Sequence, residues 1–155
     1  MSKKHTERSL AKGLLAGFVG GLAATAAKTF AERVYPPHIH GEAEPPELLA
    51  EKITGHRLSL QQRETAAGAI HWGFGACIGA AYGAVVEYYP EASAKEGASF
   101  GLALATMTHQ KALPWMGLTA APEDQSLREK SSELGSHVIF GVVTEIVRRT
   151  VRAAL

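Results

Sequence analysis

Residues 65–86 read TAAGAIHWGFGACIGAAYGAVV, and this run decides the fold. It contains no Asp, Glu, Lys or Arg. As a helix it would extend roughly 33 Å, enough to cross a bilayer core of ~30 Å. Gly75, Gly79 and Gly83 recur at four-residue spacing, which places them on one helix face. In water each glycine inside a helix costs ~1 kcal/mol relative to alanine. Between membrane helices glycine has a use, because it lets two backbones approach closely.

Three further runs outward from this one also lack charge: 13–27, 97–110 and 134–144. Lys12 and Lys28 bracket the first, and Lys95 and Lys111 bracket the third, where long side chains can reach the interface. The pattern predicts four helical segments, at about 9–34, 63–89, 94–113 and 132–154. A short interfacial helix is expected at about 46–54, with Pro46 in its first turn. Pro36-Pro37, Pro90 and Pro114 supply the breaks, and Ser93, Ser131 and Ser132 are candidate N-caps. Of 16 glycines, only Gly41, Gly55 and Gly117 fall outside the four segments. Gly13, Gly17 and Gly21, and then Gly97, Gly101 and Ala105, extend the ladder pattern to two more segments. The expected fold is all-α: a four-helix transmembrane bundle forming one membrane domain over 1–155. Similar residue orders in the two halves point to two parallel two-helix repeats.

A soluble Ala/Gly-rich bundle competes with this reading, but Leu, Ile, Val and Phe are sparse for a core formed in water. A signal peptide also competes, since Lys3, Lys4, Arg8 and Lys12 precede an apolar run. The glycine ladder favours a helix that stays and packs. The mean hydropathy is near zero because charged tails and loops offset the apolar segments. The net charge of +1 leaves no basic field to hold nucleic acid. One cysteine, Cys77, excludes an intrachain disulfide and any Cys-rich metal centre. No nucleophile elbow, phosphate loop or dinucleotide fingerprint occurs, so neither an enzyme nor a cofactor is expected.

From Ile78 onward the chain resembles the YagU family of bacterial inner-membrane proteins (DUF1440-type). The resemblance rests on Gly83-Ala84-Val85-Val86-Glu87 with Pro90, and on Leu113-Pro114-Trp115-Met116-Gly117-Leu118-Thr119 with Pro122. It continues through Ser132-Glu133, Gly135 and His137 to Glu145-Ile146-Val147-Arg148-Arg149. It implies an integral inner-membrane protein associated with acid-stress survival and without assigned catalytic chemistry.

Four crossings place both termini on one side, and the positive residues at the two ends make that side cytoplasmic. Lys28, Glu32, His71, His109, Lys111 and His137 then lie at similar depth toward the outer face. Histidine titrates between pH 5 and 8, so this polar cluster is expected to respond to external acid. Three imidazoles with Glu32 could instead hold a divalent metal, although no two of the histidines stand at i,i+4; no metal is assigned. His38 and His40, with Glu42 and Glu44, form a second, weaker loop candidate. Glu145, Arg148 and Arg149 are expected to anchor the cytoplasmic end, with Glu87 beside an aromatic belt. The alternative function is a non-catalytic structural or accessory subunit. Its Gly-xxx-Gly faces would then serve a homo-oligomer or a larger membrane complex in the lipid bilayer.

Overall fold

A computed structural model describes residues 8–37 and 43–155. Among these residues the chain is helical, without strands. The order is α1 (Leu10–Val34), α2 (Pro45–Thr54), α3 (Leu60–Tyr88), a tight 3-10 turn (Pro90–Gly97) and α4 (Ala98–Met107). A π-turn (Thr108–Ala112) leads to one further turn, α5 (Leu113–Trp115), and α6 (Leu127–Ala154) closes the chain. Lys3 and Lys4, and the His38, His40 and Glu42 loop candidate, lie outside the described residues.

Local chemistry sets the boundaries. Ser9 caps α1 by accepting from the Lys12 N–H. Ser59 and Gln62 form a reciprocal capping box, which starts α3 at Leu60 rather than at the expected residue 63. Ser126 accepts from the Glu129 N–H, so α6 begins at Leu127, before Ser131 and Ser132. The charged triplet Arg128-Glu129-Lys130 belongs to the helix instead of the loop. The expected start of the third segment at residue 94 is also corrected. Lys95, Glu96 and Gly97 have φ of 53°, 56° and 85°, a left-handed run that cannot be α-helix. Ser93 therefore caps nothing there, and Gly97 stands at the N-cap of α4.

Glycines bring the helices together in two pairs. A Cβ at Gly17 would lie 2.8 Å from Gly83 Cα, and one at Gly79 would lie 2.5 Å from Gly21 Cα. The α1 and α3 backbones therefore touch along Gly13, Gly17, Gly21 and Gly75, Gly79, Gly83. Gly97 and Gly101 pack α4 in the same way on Gly141 and His137 of α6. The pairs meet where Gly20 of α1 abuts the Thr144 carbonyl, at 2.7 Å from where its Cβ would stand. A small apolar core of Ala24, Leu104 and Phe140 lies at this junction. Tyr82 stacks on Phe100, with ring centroids 4.1 Å apart, and thereby ties α3 to α4.

Polar side chains share the interior with small apolar ones, and many large apolar side chains face outward, unlike a typical protein folded in water. Thr25, Ser132, Glu133, Ser136, His137, Thr144, Glu145 and Arg148 are buried. Leu14, Leu15 and Phe18 of α1, Trp72, Phe74 and Val85 of α3, Leu102 of α4 and Ile139 and Ile146 of α6 are exposed. By length and composition, α1 and α3 can each cross a membrane. The expectation of four spans is thus met by two helices, because α4 is short and α6 carries carboxylates and arginines among its apolar residues.

Candidate functional site

The polar cluster is assembled by three features of the chain. The first is the polar face of α6, on which Ser132, Glu133, Ser136 and His137 are all buried. The second is the C-terminal half of α1, which supplies Lys28, Thr29 and Glu32. The third is the π-turn after α4. Pro114 has no N–H to close the helix behind it. The backbone widens through Thr108–Ala112, and the Gln125 side-chain amide donates to the His109 carbonyl at 3.3 Å. That widening turns His109 toward α6.

At the centre stands Glu133, only 6% exposed. His109 Nε2 lies 3.1 Å from its Oε2, His137 Nδ1 lies 3.7 Å away and Lys28 Nζ 3.9 Å. No hydrogen bond reaches that oxygen. The His109 and His137 rings meet edge to face, with centroids 4.9 Å apart. His137 Nδ1 also lies 2.8 Å from the Glu133 backbone carbonyl. Lys28 pairs with Glu32 one turn along α1, and Glu32 Oε1 accepts from the Ser136 hydroxyl at 3.1 Å.

The structure brings together Lys28, Glu32, His109 and His137 from the expected set. His71 engages Thr29, next to Lys28: the Thr29 hydroxyl donates to the Thr25 carbonyl and lies 3.1 Å from His71 Nε2. Lys111 is exposed on the π-turn. The residue that sequence reasoning missed is Glu133, the hub. Its signal was available, since Glu133 and His137 stand at i,i+4 on one helix.

The opposite end holds a second network. Glu145 is fully buried and accepts from Tyr82 Oη (2.9 Å), Arg148 Nε (2.7 Å) and Arg149 Nε (2.5 Å). Glu145 and Arg148 thus lie inside the bundle, where an interfacial anchor was expected; Arg149 is half exposed and pairs with Glu96. Glu87 accepts from the Ser9 N–H and from Arg152, and so joins the start of α1 and the end of α6 to α3. Lys12 Nζ donates to the Leu155 carbonyl at 2.5 Å. Outside the bundle, α2 is clipped to α3 by Arg63, which reaches Glu51 at 2.8 Å. The Leu58 N–H and Arg63 hold the Glu51 carboxyl below its ordinary range.

Arranged in this way, the described helices carry a buried carboxylate beside two imidazoles at one end and join the start of α1 to the end of α6 at the other. Over residues 22–146 it matches the family described as "Protein of unknown function (DUF1440)". The chain belongs to the DUF1440 family. No curated protein and no solved structure matches it.

Proposed function

We propose that this protein is a multi-pass integral membrane protein of the YagU type. It resides in a bacterial inner membrane with both termini cytoplasmic, and it responds to external acid through its outer cluster. The exposed large apolar side chains support the membrane placement, since they suit lipid, and the glycine and hydroxyl content of the interior suits close helix packing. The observation that carries the acid response is the gathering of Lys28, His109, Glu133 and His137 at the end of the bundle opposite Ser9 and Arg152. Protonating the imidazoles adds positive charge beside Lys28, with Glu32 and Glu133 to offset it, and changes how tightly α1, the π-turn and α6 pack. His71 and Lys111 contribute charge at the same level. The role is non-catalytic.

The test uses purified protein in lipid nanodiscs, with Trp72 and Trp115 fluorescence and backbone hydrogen exchange followed from pH 7.5 to 5. Wild type is expected to loosen around the cluster as the pH falls, and the H71Q/H109Q/H137Q variant to lose that change. An unchanged pH response in the triple variant refutes the proposal. The alternative, an accessory subunit binding partners through its ladders, is weakened because Gly75, Gly79 and Gly83 are already packed on α1. Gly68, Gly73 and Gly135 have open space around them and remain for self-assembly or a larger complex.

A further inference from the structure

We infer that His109, Glu133 and His137 form a binding site for one divalent transition-metal cation of the zinc class. The inference deepens the reading above, since it names a ligand for the same cluster. Each of the three residues offers one ligand atom, and these atoms lie within 4.8 Å of one another. Two neighbouring ligands on a tetrahedral ion with ~2.0 Å bonds stand about 3.3 Å apart. His109 Nε2 and Glu133 Oε2 stand 3.1 Å apart.

Glu133 Oε2 is a buried acceptor that no hydrogen bond reaches, and it is aimed between the two rings. A buried carboxylate oxygen in this position is costly unless a donor or a cation meets it. Lys28 faces both Glu32 and Glu133, so with neutral histidines and an ionised Glu133 the three charges sum to one negative. The site is partly oriented already. The Glu133 carbonyl fixes the His137 ring, and Gln125 fixes the backbone of His109. Two imidazoles and a carboxylate select zinc-class ions over magnesium or calcium, which prefer all-oxygen shells. Three protein ligands leave a fourth position for water, so the bound ion is exchangeable rather than purely structural.

The test uses full-length, untagged protein in detergent micelles at neutral pH after chelator treatment. Zn²⁺ is titrated in competition with a chromophoric chelator, and Co²⁺ serves as a spectroscopic probe. One Zn²⁺ per chain and an intense tetrahedral Co²⁺ absorption band are expected. Glu133→Gln and His109→Gln should each lower the affinity at least about tenfold. Lys28→Met should raise it, because it removes a positive charge 3.9 Å from the carboxylate. His56→Gln, on an exposed loop, should leave it unchanged. The inference is overturned if wild type takes up no stoichiometric metal. It is also overturned if uptake survives both ligand substitutions in full. The cobalt spectrum of wild type keeps the test open even where a ligand variant fails to fold. Zinc binding without a pH response refutes the acid reading alone, and a pH response without zinc binding refutes this one alone.

Discussion

Gly79→Ala should damage this protein far more than Gly68→Ala, although both glycines lie on α3. The Cβ added at Gly79 would stand 2.5 Å from Gly21 Cα and 2.7 Å from Gly21 N. Carbon atoms in good contact stand ~3.5–4.0 Å apart, so the overlap is about 1 Å. The atoms it meets are backbone, which has no rotamer to change. Relief requires α1 and α3 to separate, which would also lift Gly17 from Gly83. Overpacking of this kind costs ~1–3 kcal/mol, and a clash with backbone belongs at the upper end. A Cβ at Gly68 meets nothing within 4 Å. There the substitution only stiffens the helix and gains up to ~1 kcal/mol. The two variants should therefore differ by about 3 kcal/mol. Equilibrium unfolding in mixed micelles, followed by circular dichroism, measures the difference. Equal stabilities would refute the claim that the α1–α3 seam is a backbone-to-backbone contact.

Glu145→Ala leaves the buried Arg148 guanidinium without its carboxylate and should cost about 3–5 kcal/mol in the same assay. Gln125→Ala strips the His109 carbonyl of its donor, with an expected loss of ~1–3 kcal/mol and faster hydrogen exchange across the π-turn. The folded-state pKa of Glu51 is depressed, so its contribution is present above the ordinary glutamate range and is lost as pH falls through the folded value. Hydrogen-exchange protection in α2, corrected for the intrinsic pH dependence of amide exchange, should accordingly fall on acidification in wild type and change less in Glu51→Gln.

The helices and their seams were legible because glycine spacing encodes a close approach directly. Gly75, Gly79 and Gly83 can serve only one face, and that face met α1. Glu133 was hidden by the habit of treating a carboxylate as the edge of an apolar segment. It falls immediately before the charge-free run 134–144 and marked a boundary instead of a face. The π-turn was not legible, because Pro114 reads as a stop signal. Its missing donor is replaced by Gln125, from a loop that returns to the helix only in three dimensions. The left-handed Lys95-Glu96 pair was equally hidden, since neither residue type favours positive φ. His71 shared a depth with the other histidines, but depth alone does not say which neighbour a ring faces.

The seam between α1 and α6 joins the first described helix to the last. During synthesis α1 can settle on α3 as soon as that hairpin emerges, but the Gly20 face of α1 must wait for Thr144 and its neighbours. Until then a helix groove lined with small residues stays open. A chain cut short before α6 would leave the Gly20 face of α1 unpacked. Closure of the bundle thus requires the chain to have been made at least as far as Thr144.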